Sequence, residues 1–146
     1  MTDAQVREAG CAVAADTMPA GAGDLWVGID SVAIPVTDLR VAAAWFAQAL
    51  GFETGPAREP DHEATVALRH PSGARVVLYP APDRAAAMAG FPVLSLDVAS
   101  RTSLDDLGAH LSRRGVLHTQ VHQADGASVV RMWGPDMIQV RIYWRP

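Results

Sequence analysis

"RHPSGARVVLY" (residues 69–79) and "MWGPDMIQVRIYW" (residues 132–144) say one thing twice: a turn, then an alternating strand that ends in an aromatic residue. In each copy a proline opens the turn, Pro71 and Pro135, and a tyrosine closes the strand, Tyr79 and Tyr143. A shift of 64 residues relates the two, and it also carries Gly51 onto Gly115 and Val77 onto Arg141. Extended further back, the same shift takes Val32 onto Leu96 and preserves strand parity. A shared shift across helices and strands marks an internal repeat.

The elements around the two phrases agree with that reading. "IDSVAIPV" (29–36) alternates, with Val32, Ile34 and Val36 on one face. Thr37 or Asp38 can cap the following "LRVAAAWFAQAL", where Leu39, Ala42, Ala43, Phe46 and Leu50 recur at helical spacing before Gly51 stops the helix. One of Trp45 and Phe46 belongs to the core. "FETGPA", "EATVALRH" and "ARVVLYPA" then read as strands, the last two joined by "PSG". In the second half "FPVLSLDV" alternates, and "SLDDLGAHLSRRG" is an amphipathic helix with Leu104, Leu107 and Leu111 on one face. "VLHTQVHQ", "ASVVRMW" and "IQVRIYW" complete the pattern as strands. The fold class is α+β, with two tandem βαβββ repeats over 27–81 and 91–146 and a linker over 82–90. Residues 1–26 read as a flexible tail, with a short helix over "DAQVREAGCAVAAD"; the alternative for it is a lid or dimer arm. Residues 27–146 form one domain.

Composition narrows the function classes. A chain of 146 residues with 49% hydrophobic and 19% charged residues has the profile of a soluble globular domain. The net charge of −4 and the lack of a basic stripe speak against nucleic acid. One cysteine, Cys11, leaves no intramolecular disulfide or cysteine-rich metal site. There is no apolar run of membrane-spanning length and no secretory pattern at the start, so the expected location is the cytoplasm. All 12 basic residues are arginine and asparagine is missing, a pattern that suggests a high-GC bacterial genome. Without lysine, Schiff-base chemistry is closed.

The repeats resemble the vicinal oxygen chelate superfamily of glyoxalases, bleomycin-resistance proteins, fosfomycin-resistance enzymes and extradiol dioxygenases. The resemblance rests on "IDSVAIPVTDLRVAAAWFAQALGF", on "LSLD" and on "GPDMIQVRIYW", the last similar to a DPDG-then-strand signature altered at Gly134 and Met137. It covers about residues 27–145. It implies a half-open barrel around a central pocket. In the enzymes of the family a divalent metal is held there by His and Glu from the first and last strands of both repeats. Carried onto this chain, those positions fall on Ser31, on Val77, on one of Phe91, Val93 or Ser95, and on Arg141. A guanidinium has only donors and cannot ligate a metal. The resemblance therefore implies a pocket with its metal-ligand positions lost, and no cofactor.

On strand parity, Arg141 shares a face with Gln139 and Tyr143, Asp97 faces the same way on its own strand, and Arg75 and Tyr79 do so in the first repeat. The expected ligand-binding set is Ser31, Arg75, Tyr79, Asp97, Trp133, Gln139, Arg141 and Tyr143. Arg141 stands where a metal's charge would be, with Asp97 as its expected partner. Two readings stay open: Arg141 anchors a carboxylate or phenolate of a ligand, or it forms a purely structural ion pair. Trp133 or Tyr143 could stack on a planar ligand, or simply pack.

Among the histidines, His118 and His122 fall on one face of a single predicted strand, about 13 Å apart and too far to share a metal. They are the better candidates for a base, although each is more ordinary as a surface residue. His62 and His70 flank a strand, and His110 is expected to be exposed on its helix. "PDHE" reads as a loop, and no serine elbow, phosphate loop or paired-carboxylate signature is present. Three functions follow. The first is a metal-independent small-molecule-binding protein of the bleomycin-resistance type, a homodimer that sequesters an antibiotic or secondary metabolite, planar or anionic. The second is a metal-independent isomerase, cyclase or lyase of secondary metabolism, with catalytic candidates Asp97, His118 or His122 as base and Arg141 as electrostatic anchor. The third is a structural or regulatory domain.

Overall fold

The computed structural model describes residues 28–55 and 64–146. The expectations placed on the tail, on Cys11, on His62 and on "PDHE" lie outside those residues. The first module runs β1 (Val32–Val36), α1 (Leu39–Leu50), β2 (Glu53–Thr54), β3 (Val66–Arg69) and β4 (Arg75–Pro80). A helix α2 (Pro82–Ala87) occupies the span read as a plain linker, started by Pro82 in its first turn. The second module runs β5 (Pro92–Asp97), α3 (Arg101–Arg113), β6 (Leu117–His118), β7 (His122–Ala124), β8 (Ala127–Trp133) and β9 (Gln139–Trp144). The strand orders are β1-β4-β3-β2 and β5-β9-β8-β6, with β7 also paired to β8. In each sheet the first and last strands run parallel and the remaining pairs antiparallel. The two βαβββ modules and their α+β class are as the sequence predicts.

Helix α1 begins because the Asp38 carboxylate accepts from the backbone N–H groups of Arg40 and Val41. It ends at Gly51, whose φ of 72° is the left-handed conformation that closes a helix. Thr37, the other predicted cap, instead donates its N–H and hydroxyl to the Asp136 carboxylate at 2.9 and 2.6 Å, tying the end of β1 to the β8–β9 turn. Ser100 caps α3 through Ser103 N–H.

Alternation decides what is buried. Ile34 and Val36 of β1, Val76 and Leu78 of β4, and Ala42, Phe46 and Ala49 of α1 share one core with Leu104 and Leu111 of α3, Val130 and Met132 of β8, and Val140 and Ile142 of β9. Full burial of a side chain such as Phe46 or Ile142 contributes about 1.5–3 kcal/mol. The helix-bearing faces of both sheets thus meet in a single core, and their other faces turn away from it. Pro35 sits on β1, an edge strand. Ala81 N–H donates to Val36 C=O, so even-numbered residues of β1 bond to β4 and the missing N–H of Pro35 falls on the unpaired edge.

The repeat shift is not constant. Val32 pairs with Val76, and Leu94 pairs with Val140, so Val32 corresponds to Leu94 rather than Leu96. The same smaller offset relates Asp38 to Ser100 and Ala49 to Leu111. The larger one returns at Gly51 and Gly115, because α3 and its "SRRG" exit are longer than the end of α1. The difference is even, so strand parity survives it.

Candidate functional site

The open face of the second sheet carries most of the predicted residues. In the β8–β9 hairpin Trp133 lies opposite Gln139, Arg131 opposite Arg141, and Val129 opposite Tyr143. On the other side of β9, Ser95 lies beside Arg141 and Asp97 beside Tyr143. The register of β5 is thereby settled: Ser95 and Asp97 face outward. Val93 instead packs against the core, next to an irregularity between Pro92 and Leu94. Arg75 and Tyr79 occupy the open face of the other sheet, Tyr79 opposite Pro35, and Arg75 bonded to Asp30 at 2.9 Å. The predicted set therefore falls on two surfaces of one chain. Ser31 lies just before β1, and the residue beside Val77 is Ala33.

Arg141 does not pair with Asp97. Its Nε donates to Gln139 Oε1 at 2.8 Å, and Gln139 Nε2 in turn donates to the Gly90 carbonyl. Gln139 is only 7% exposed, so this chain holds the guanidinium in one orientation. Asp97 bonds Arg145 at 2.7 Å, and Arg145 lies over the Tyr143 ring, 4.7 Å from its centroid. With side chains 58% and 75% exposed, that ion pair is a surface one. The physical reason is geometric: Asp97 sits two pairs beyond Arg141 on the ladder, next to the chain end that brings Arg145.

Arg131 was not among the predicted residues. Thr119 N–H donates to its carbonyl, and its own N–H donates to Thr119 Oγ1, so its backbone is turned toward the β6 side. Arg131 and Arg141 are thus a non-hydrogen-bonded antiparallel pair, the kind whose side chains stand closest. Two arginines thus stand opposite each other in the hairpin register, and among the described residues neither has a carboxylate partner. Arg131 Nε is buried with no acceptor. Like charges directly opposite destabilise a sheet, and an orphaned buried donor costs more again. A hairpin reading could have found Arg131, since it and Arg141 are equidistant from Asp136 in the turn.

The histidines fare differently from expectation. The strand predicted over 116–123 breaks between Leu117–His118 and His122–Ala124, so His118 and His122 do not share one strand. The register against β8 shifts by one residue between them, from His118 opposite Met132 to His122 opposite Val129, and Arg131 N–H is taken by Thr119 Oγ1 instead of a backbone carbonyl. His118 is held by Ser112 Oγ and the Thr119 carbonyl, and His122 by the Gln120 carbonyl. His110 is half-buried and bonds the Gln48 carbonyl at 2.8 Å, joining α3 to the end of α1.

The residues at the family's metal positions do not fit a divalent ion. Ala33 and Val77 offer no donor, and Ser95 stands beside a fixed cation, Arg141. No group of three or more His, Cys, Asp or Glu converges among the described residues. No helix among them is long and apolar enough to cross a membrane.

In fold, the chain is similar to a glyoxylase/bleomycin resistance protein/dioxygenase domain from Frankia sp. EAN1pec, with a TM-score of 0.70 at 20% identity, covering 83% of this chain and 99% of that one. It is also similar to TnmS3, an antibiotic binding protein from Streptomyces sp. CB03234, with a TM-score of 0.68, 16% identity, and coverage of 83% and 98%. A genomically encoded fosfomycin resistance protein, FosX, from Listeria monocytogenes gives 0.65 at 10% identity, with coverage of 83% and 95%. No curated protein matches the sequence. The family model for the Glyoxalase/Bleomycin resistance protein/Dioxygenase superfamily matches residues 28–140. With two βαβββ modules in place and most of its length matched, the chain belongs to that superfamily.

Proposed function

We propose that the protein is a metal-independent small-molecule-binding protein that holds an anionic, planar ligand on the open face of its second sheet. One observation carries this reading: Arg131 and Arg141 oppose each other without a counter-charge, and Arg131 Nε is buried without an acceptor. A carboxylate or phenolate placed between them would accept from both guanidinium groups. Trp133 and Tyr143 flank the pair on the same face and supply apolar area for a ring. Sequestration of an antibiotic or secondary metabolite in the cytoplasm is the role this chemistry suits, and the antibiotic-binding structural relative supports it.

The ligand surface is one sheet face rather than an enclosed pocket, and Leu117, 62% exposed, extends it past Trp133. A second copy of the chain covering that face completes our reading as a homodimer. The enzymatic alternative has less support. Asp97 is engaged by Arg145, and His118 and His122 are held by Ser112 and backbone carbonyls, so none of these three candidates stands free as a base for Arg141.

The test is native mass spectrometry of the purified protein, incubated with a panel of aryl carboxylates and phenols. The expected result is a dimer that retains an anionic aromatic adduct, loses it on Arg141→Gln, and returns it with unchanged mass and an unchanged proton NMR spectrum. A ligand returned with altered mass or an altered spectrum makes the protein an enzyme. Equal retention by Arg141→Gln removes the anchor and the proposal with it.

A further inference from the structure

A cavity of about 840 Å³ lies between the modules, on the helix side of the second sheet. That volume is within the range of small-molecule sites. Ile142 lines it, whereas Arg131, Arg141 and Tyr143 do not. Alternation along β9 puts those arginines on the opposite face, so the cavity is a separate place from the proposed anion site.

Its walls come from both repeats. Leu50, Leu96 and Leu107, all part-exposed, supply apolar surface, and Ala74 closes it from the β3–β4 hairpin. Four consecutive residues, Ser95 to Val98, also line it, which a strand can do only along its edge. β5 is an edge strand, and Val98 N–H donates to the Tyr143 carbonyl. The even-numbered residues therefore bond β9, and the N–H and C=O groups of Ser95 and Asp97 point to the unpaired edge.

Two imidazoles add a matched donor and acceptor. Ser72 N–H donates to His70 Nδ1 at 3.1 Å, so the proton of a neutral ring resides on Nε2. That Nε2 has no partner among the described residues, and the ring lies against Phe52, 5.3 Å between centroids. His110 donates from Nε2 to the Gln48 carbonyl, which leaves its Nδ1 as an acceptor. The charges around the cavity balance. Arg113 and Arg114 are offset by Asp106 and by the C-termini of α1 and α3, each worth about half a negative charge. Asp97 is already neutralised by Arg145.

We propose that this inter-module cavity is a second ligand site, for an uncharged amphipathic molecule with an aromatic body and a carboxamide or lactam edge. The ring rests on Leu96 and Leu107. The amide edge, donor and acceptor side by side, pairs with the exposed backbone of β5 or with the two histidines. The anion site takes ligands of the opposite character, so the two sites are chemically separable.

The experiment is an amide and imidazole NMR titration of the full chain with benzamide, using benzoate as the charged counterpart. Benzamide is expected to move the backbone amides of Ser95 and Asp97 and the ring signals of His70 and His110, saturating with a Kd of about 1 mM. Saturating benzoate leaves that titration unchanged. Leu107→Trp, which fills the cavity, weakens benzamide at least about tenfold while benzoate binds as before. Ala74→Phe does the same from the opposite wall, should Leu107→Trp fail to fold. The proposal is overturned if benzamide moves none of these signals, if benzoate displaces it, or if a folded filling variant binds it as the wild type does. Loss of benzoate binding alone would overturn the anion site and leave this one standing.

Discussion

Replacing Arg131 with methionine should make the protein more stable and functionally worse. The wild type carries a buried Nε without an acceptor and a like-charge pair at close cross-strand spacing. An orphaned buried donor costs about 1–3 kcal/mol, and directly opposed like charges cost about 0.2–1 kcal/mol. Both arginines are only half-buried, so solvent screens part of this. Methionine keeps the apolar stem that packs on the sheet and removes both penalties. The expected gain is about 1–2 kcal/mol, or about 3–6 °C in Tm for a chain of this size. Urea denaturation at low and high salt separates the two contributions: the repulsive part shrinks with salt, and the orphan-donor part does not. In the same titrations benzoate at a hundred times its Kd should stabilise the wild type by about 2.7 kcal/mol and the variant far less. A variant that is destabilised by 1 kcal/mol or more, or that is stabilised by benzoate as fully as the wild type, would refute the reasoning.

Three further outcomes are expected. Gly134→Ala places a Cβ 2.7–2.9 Å from the Trp45 indole atoms, so it should lose about 1–3 kcal/mol in denaturation, and less in a Trp45→Ala background. Met137 has a φ of 55° where the first repeat has Gly73 at 95°; with Met137 half exposed, Met137→Gly should gain about 0.5–1 kcal/mol by relieving left-handed strain, and a loss would show that its side chain packs more than it strains. Asp97→Asn breaks only the exposed bridge to Arg145, so stability should move by less than about 0.5 kcal/mol and benzoate affinity by less than about twofold; a tenfold loss of affinity would restore Asp97 to the anion site.

The two altered positions of the DPDG-like turn now have separate explanations. Gly134 has an ordinary negative φ, and what excludes a side chain there is the Trp45 ring. Met137 has the reverse situation: there is room for its side chain, and its backbone is in the left-handed region.

Most of the architecture was legible because alternation and helical spacing are local. Val32, Ile34 and Val36 had to share a face, Phe46 had to face inward, and Gly51 had to stop a helix, whatever lay around them. The outward direction of Gln139, Arg141 and Tyr143 followed from the same parity, and it survived the faulty offset at β5 because that error was an even number of residues. Which residue meets which was another matter. Arg131 faces Arg141, and Asp97 meets Arg145, because cross-strand register and the path of the chain end set the neighbours. The break between His118 and His122 is a one-residue register shift against β8, which no periodicity records. By itself the sequence determined two repeats, their strands and helices, and the loss of a metal-binding donor set. Only the tertiary structure decided that the two helix-bearing faces share one core, that the predicted residues divide between two open faces, and that a cavity opens where the modules meet. Those facts depend on contacts between residues far apart in the chain, and such contacts leave no local pattern to read.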